Sequence, residues 1–409
     1  MPEPQIQTRD DLIYALTLAA ELEHSLSCQY LYAAYALKTS REEGLSWEHV
    51  AHVAEWKKTL LEIARQEMEH LGLANNLLTS VGGAPHFRRP NFPQAENTYG
   101  GVPPARLEGV SLESLERFIE YEKPAPFVVP VDLTYDGIHG LYRLIREAFE
   151  TLPEDALFIG PPEAQVDNES LHGEPVVRAY DVILFKVVDR ETALKAVDLI
   201  MEEGEGAPSE AETDPHSHYA RLVEMHRQLA EALDVDPSFN PSREVVSNPT
   251  TRERHREAPG ATLITHPLSR EIADLFGTAY ETMLFALYRF YARTDETEEE
   301  LFGLQRTAFF PLMTVILRPL AEMLTALPAF EEESPERAGP PFEFYRSVQL
   351  LPRKESAWVV IAERLDEMAE ASREIAERPD SPERMRLTSE NLHRVAANFK
   401  AYMGLPASD

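Results

Sequence analysis

The stretch Trp56–Leu78, WKKTLLEIARQEMEHLGLANNLL, decides how the rest of the chain is interpreted. It contains no proline, and its apolar residues recur at the three- and four-residue spacing of an amphipathic helix. The same stripe, continued through the middle of the stretch, falls on Glu67 and His70. Because residues three apart lie on one face of a helix, both side chains are expected on the buried side.

A buried carboxylate beside an imidazole needs a partner. A bare charge in a core costs several kcal/mol unless it is paired or bound to a metal, and helix bundles use inward Glu-x-x-His pairs to hold metals. The motif alone is a weak signal, because a chain with 13 histidines contains it at Glu21/His24, Glu67/His70, Glu169/His172 and Glu390/His393. Only the Glu67/His70 pair continues an apolar stripe. The alternative is a rim glutamate and a histidine bonded to a neighbouring carbonyl.

The composition of the 409 residues narrows the possible partners. The net charge of −31 argues against nucleic acid and anionic membranes, because both need clustered lysine and arginine. No apolar run reaches the ~20 residues of a transmembrane helix, and the N-terminus has no apolar signal core. The single cysteine, Cys28, excludes an internal disulfide and fits a reducing compartment. We therefore expect a cytoplasmic protein without nucleic-acid or membrane partners. The number of helices and their exposed apolar stripes also predict a homodimer.

Helical periodicity recurs along the chain and predicts a mainly α-helical fold. A first helix over Thr8–Lys38 places Glu23 in the middle of an apolar stripe, and a second covers Trp47–Ser80. Further helices of the first half are predicted at Leu112–Glu120, Asp136–Leu152, 190–203 and after Pro215. Residues 176–188, VVRAYDVILFKVV, are rich in β-branched and aromatic residues and predict a short extended insert.

The predicted helices group into two regions. Residues 1–233 are interpreted as a metal-binding bundle, 234–257 as a linker and 258–409 as a C-terminal helical region. The last region is predicted to contain helices at Leu268–Arg293, Thr297–Leu327, Glu355–Glu377 and Pro382–Met403. Pro311 and Pro319 should kink the second of these helices.

The inward polar residues of the first half form one candidate metal site. They are Glu23, Glu67 and His70, then Glu202 and Glu205 at the end of a helix, and His218 at the start of another. Carboxylates and imidazoles without thiolates suit iron, with manganese second, and exclude a cysteine-type zinc site. Two carboxylate-rich half-sites could hold two ions with open positions. Alternatively, Glu202 and Glu205 belong to a solvated acidic loop, and His218 caps a helix.

Four motifs resemble a known family. They are ELEHSLSCQYLYAAY, QEMEHLGLANNLLTSVGGAP, IMEEGEG followed by SHYARL, and AGPPFE. They resemble ferritin-like domain proteins of the iminophenyl-pyruvate dimer synthase type, named for enzymes that couple two indole-derived imines. The resemblance implies a ferritin-like helical bundle and a non-haem iron oxidoreductase with one or two ions acting on a small organic substrate. It also implies Glu23, Glu67, His70, Glu202 and His218 as metal ligands, with Glu205 as an alternate or additional one.

The chain departs from that family pattern at one position. The family often has a glutamate on the third helix, where this sequence has Gly140, preceded by His139. The departure puts a second metal ion in doubt. A metal-storage protein without an organic substrate, or a helical scaffold with a vestigial site, are the alternatives to an oxidoreductase.

Overall fold

The structure is a computed structural model of the chain. It describes residues 6–96, 98–99, 101–123, 137–171, 182–205, 215–255, 259–292, 295–345, 349–350 and 352–405, without the side chain of Glu205. The chain forms two compact units. Unit 1 comprises Met1–Pro90, Gln94–Asp167 and Tyr180–Ser242, and unit 2 comprises Asn91–Pro93, Asn168–Ala179 and Arg243–Asp409.

Unit 1 is built from helices. They are α1 (Arg9–Ala36), α2 (Trp47–Ser80), α3 (Leu112–Glu122), α4 (Gly137–Thr151), α5 (Arg190–Glu205) and α6 (His218–Val235). The long helices α1 and α2 pack along each other, α3 packs on α6, and α4 packs on α5 and α1. Short 3₁₀ turns lie at Arg41–Glu43, Glu154–Ala156 and Pro162–Ala164.

The ends of the two long helices follow from local sequence. The Thr8 side chain accepts from the backbone N–H of Asp11, whose carboxylate accepts from the N–H of Thr8, so a capping box starts α1. Ser46 caps α2 in the same way through the N–H of His49. After α2, Gly82 adopts a φ of 90°, a left-handed conformation that glycine adopts without steric cost.

The apolar stripe of α2 faces the core, as its periodicity predicts. Leu60, Ile63 and Leu77 have no exposed surface, and each contributes about 1.5–3 kcal/mol by leaving water. Glu67 and His70, on the same face, are 1% and 2% exposed. The packing that stabilises this helix therefore also buries its two polar residues.

Unit 2 is also mainly helical. It contains α7 (Pro267–Ala292), α8 (Glu298–Leu304), α9 (Arg318–Leu324), α10 (Lys354–Ala376) and α11 (Glu383–Met403). A 3₁₀ turn lies at Glu253–His255, and a two-stranded parallel pair joins β1 (Pro249–Thr250) to β2 (Thr262–Leu263). Two π-helical segments, Gln305–Phe309 and Leu312–Leu317, connect α8 to α9 on either side of Pro311. The predicted disturbance at this proline is thus a widened helix, because proline cannot supply the regular backbone hydrogen bond.

The helical stretch Glu298–Leu324 is long and apolar enough to cross a membrane by length and composition. Half of its most apolar 18-residue segment is buried inside the protein. A core helix of a globular protein meets the same criteria of length and composition, so this stretch is weak evidence for a membrane span.

The prediction of a mainly α-helical chain is confirmed. The expected helix over Trp47–Ser80 has the bounds that the sequence indicated. Of the expected extended insert at 176–188, residues 176–181 lie outside the described part, and residues 182–188 have no regular secondary structure.

Candidate metal centre

Five polar side chains converge in the interior of unit 1. Glu23 comes from α1, Glu67 and His70 from α2, Glu122 from the last turn of α3, and His218 from the first turn of α6. None is more than 5% exposed. Four separate helices therefore direct carboxylates and imidazoles to one buried place.

The five residues form two overlapping groups. Half-site A is Glu23, Glu67 and His70, and half-site B is Glu67, Glu122 and His218; within each, the candidate ligand atoms lie within 4.8 Å of one another. Glu67 belongs to both groups. Its Oε2 lies 3.5 Å from Nδ1 of His70, and its Oε1 lies 2.8 Å from Nδ1 of His218. Its two oxygens therefore face two different imidazoles, as a bridging carboxylate requires.

Glu23 and Glu122 each belong to one half-site only, and we call them the terminal carboxylates. Their environments match. Oε2 of Glu23 lies 3.6 Å from Nδ1 of His70, while its Oε1 accepts a hydrogen bond from the Tyr142 hydroxyl at 2.5 Å. Oε2 of Glu122 lies 3.6 Å from Nδ1 of His218, while its Oε1 accepts from the Tyr30 hydroxyl at 2.5 Å. In each case the tyrosine orients the carboxylate and leaves the other oxygen directed at the histidine.

Several buried atoms of the cluster make no hydrogen bond within the described chain. They are Oε1 of Glu67 and both ring nitrogens of His218. The 2.8 Å contact between Glu67 and His218 does not have hydrogen-bond angles. A buried polar atom without a partner destabilises the fold. A divalent cation between the Glu67 carboxylate and the His218 imidazole would bind the lone pairs of both. The residues present therefore fit a metal ion.

The carboxylates respond differently to this environment. Burial raises the pKa of Glu23 to about 8, with the neighbouring Glu67 carboxylate adding to the rise. Burial also raises the pKa of Glu122, again with a contribution from Glu67. For Glu67 itself burial opposes ionisation, but the adjacent His218 and His70 outweigh it and hold its pKa well below the usual range. The surroundings therefore favour ionisation of the shared carboxylate and oppose ionisation of Glu23 and Glu122.

The neighbouring carboxylates raise the pKa of both imidazoles. Burial opposes the charge on His70, but its contacts with Glu203, Glu23 and Glu67 raise its pKa well above the usual range. Burial likewise opposes the charge on His218, and Glu67 is the main group that raises its pKa. A proton on either imidazole therefore competes with a metal ion for binding.

Outside the cluster, His70 has a further partner. Its Nε2 lies 3.0 Å from Oε2 of Glu203, on the last turn of α5. The Gln66 side chain helps to lower the pKa of Glu203, and the Arg221 guanidinium donates to Oε1 of Gln66 at 2.5 Å. The Glu203 carboxylate therefore holds His70 on its far side.

The residues named from the sequence are only partly brought together. Glu23, Glu67, His70 and His218 lie in the cluster, whereas Glu202 is exposed and the side chain of Glu205 lies outside the described residues. Glu203, the next residue along, faces His70 instead. Consecutive helical positions point about 100° apart, and an acidic helix end offers no apolar stripe to set that direction.

Glu122 was missed by the sequence interpretation, although a signal for it exists. Leu115, Phe118 and Glu122 follow one another at spacings of three and four, and the first two are buried. The carboxylate that the family pattern places on α4 is absent at Gly140, and neither His139 nor Gly140 belongs to the two described groups. Here α3 supplies a carboxylate that completes a second group, while α4 contributes Tyr142.

Of the Glu-x-x-His pairs set aside from the sequence, Glu21/His24 and Glu390/His393 belong to neither described group, and His172 lies outside the described residues. Glu21 bonds to His86 and Tyr99 at 2.9 and 3.0 Å. His393 is exposed and contacts the carbonyl of Ser389.

Comparison with known proteins agrees with this architecture. Over 92% of its length the chain is 28% identical to dichlorochromopyrrolate synthase of Lentzea aerocolonigenes, and over 82% it is 29% identical to 2-imino-3-(indol-3-yl)propanoate dimerase of Chromobacterium violaceum. The matches cover 40% and 34% of those proteins, so the chain spans less than half of either. A ferritin-like protein from Caulobacter vibrioides shares the fold, with a TM-score of 0.54 and 18% identity over 81% of this chain and all of that one. The sequence model of the Ferritin-like family matches residues 16–227, more than half of the chain, and this protein belongs to that family.

Proposed function

We propose that this chain is a metal-dependent oxidoreductase of the ferritin-like family that acts on a small organic substrate. The observation that carries the proposal is the buried pair of half-sites bridged by Glu67. Burying these charges separately would cost several kcal/mol each, whereas a divalent metal satisfies them together. Neither a purely structural bundle nor a solvated acidic surface needs such an arrangement.

The ligand set favours iron, with one ion in each half-site and manganese as the second choice. Carboxylate oxygens and imidazole nitrogens suit both metals, and each half-site supplies three protein ligands, which leaves open positions. Iron bound there would supply redox chemistry with oxygen or peroxide. The protein contributes ligands, fixed orientation and a water-poor environment.

The substrate class is proposed from the two relatives. One is named for 2-imino-3-(indol-3-yl)propanoate and the other for dichlorochromopyrrolate. We propose that this chain likewise takes part in coupling two molecules of an aromatic α-imino acid, as the iminophenyl-pyruvate dimer synthase resemblance implies. Tyr30 and Tyr142 would hold the terminal carboxylates while the substrate binds at the open metal positions.

The cellular setting stays a prediction. The excess of 70 acidic over 39 basic residues supports a protein without nucleic-acid or anionic-membrane partners, located in the cytoplasm. A homodimer is also proposed, and light scattering of the purified chain measures its state directly.

The test of function uses the purified full chain loaded with iron. An aromatic α-imino acid generated in situ is added under air, and coupled products are identified by mass spectrometry. We expect product with the wild type and with His393→Ala, and none with Glu67→Ala. Iron binding without any coupled product would favour a metal-storage role, and absence of metal binding would favour a scaffold.

A further inference from the structure

The two half-sites share most of their construction. Each has Glu67, one terminal carboxylate and one Nδ1 atom, and in each the terminal carboxylate accepts a tyrosine hydroxyl at 2.5 Å. These shared contacts give neither half-site an evident advantage in binding a cation. A difference must come from what holds the imidazoles.

The far nitrogens of the two imidazoles have different surroundings. Nε2 of His70 contacts Oε2 of the Glu203 carboxylate at 3.0 Å. Nε2 of His218 is buried and makes no hydrogen bond within the part of the chain that the structure describes. Half-site A therefore has a carboxylate behind its histidine, whereas the described residues supply none behind the histidine of half-site B.

We infer that Glu203 is a positioning residue that makes half-site A the tighter of the two, so that the first metal ion binds at A and the second at B. The inference rests on the proposed metal-dependent function. A carboxylate that accepts the far N–H of a ligating histidine fixes its tautomer and ring orientation and makes Nδ1 a better donor. Loss of such a partner typically lowers metal affinity by about 10–100-fold.

The unequal half-sites also explain the role of the shared carboxylate. With one ion at A, Oε2 of Glu67 is engaged beside His70, and Oε1 stays directed at His218. The second ion would then bind at B, where the described residues place no outer carboxylate behind His218. A state with one ion is therefore expected at limiting metal.

The test is a titration of metal-free protein with Mn²⁺, followed by calorimetry and electron paramagnetic resonance, and repeated with Fe²⁺ without oxygen. The wild type should show a tight step and a weaker step. Glu122→Gln should keep the tight step, and Glu23→Gln should lose it. Glu203→Gln should weaken the tight step by about 10–100-fold and leave the second nearly unchanged. Glu203→Asp, which keeps the charge, should restore part of the affinity.

Glu202→Gln is the matched control, because Glu202 is the exposed neighbour of Glu203 on the same helix. It should titrate like the wild type, and circular dichroism should show that all variants are folded. Two equal steps, or a Glu203→Gln variant with an unaltered first step, would overturn this inference while leaving the proposed function in place. A wild-type protein that binds no metal would overturn both.

Discussion

Oε1 of Glu67 lies 2.8 Å from Nδ1 of His218, yet the two buried atoms do not form a hydrogen bond. Both atoms carry lone pairs when the imidazole is protonated at Nε2 alone, and both belong to half-site B. The opposite oxygen of the same carboxylate faces His70. This relationship makes Glu67 the residue on which both half-sites depend.

Replacing Glu67 should remove metal binding from both half-sites. In the wild type, metal at 100 times its dissociation constant stabilises the fold by about 2.7 kcal/mol. In Glu67→Ala we expect no bound metal by elemental analysis and no rise in melting temperature on adding metal. His393→Ala, on the exposed face of α11, should bind and respond like the wild type. Full metal content in Glu67→Ala would contradict the bridged site.

The two tyrosines should act on separate half-sites. Tyr142→Phe removes the hydrogen bond to Glu23, and Tyr30→Phe removes the one to Glu122. A hydrogen bond to a charged group contributes about 1.5–3 kcal/mol, so each change should weaken one binding step by about tenfold or more. Calorimetric titration measures which step changes. Equal effects of both variants on both steps would show that the tyrosines do not serve separate ions.

Metal affinity should rise with pH across the neutral range. Burial raises the pKa of Glu23 to about 8, and carboxylates around His70 and His218 raise their pKa values against the effect of burial. These groups therefore hold protons below their raised pKa values, and a cation must displace those protons to bind. We expect proton release, measured by calorimetry in buffers of different ionisation enthalpy. An affinity that is equal at pH ~6 and pH ~8 would contradict it.

Unit 2 contains a buried ion pair that should matter for stability. Arg289 on α7 is 1% exposed and donates through Nε to Glu296, which is 5% exposed. Arg289→Leu leaves that carboxylate buried without its cation, which should cost about 3–5 kcal/mol of unfolding free energy in urea. Arg373→Ala, which breaks an exposed contact with Glu370 and Glu377, should leave the unfolding free energy nearly unchanged. A similar loss of unfolding free energy in both variants would show that burial of the Arg289–Glu296 pair does not determine its contribution to stability.

The helices and part of the site could be predicted from sequence because their signals are local. The stripe through Leu60 and Ile63 determines the direction in which Glu67 and His70 point, whatever packs against them. Ser46 and Gly82 mark the ends of α2 through capping and turn chemistry that involve only neighbouring residues. Glu23 was found by the same periodic argument on α1.

Only the tertiary structure decided which other side chains complete the site. Tyr30 meets Glu122 from 92 positions along the chain, and Glu203 meets His70 from 133 positions away. No local period encodes such contacts, because they depend on how whole helices pack. At the end of α5, Glu202 and Glu203 point about 100° apart around the helix axis. The orientation of the packed helix decides which of the two faces His70. The sequence by itself determined which faces of α1 and α2 are buried, and the packing of α3, α5 and α6 determined which charges those faces meet.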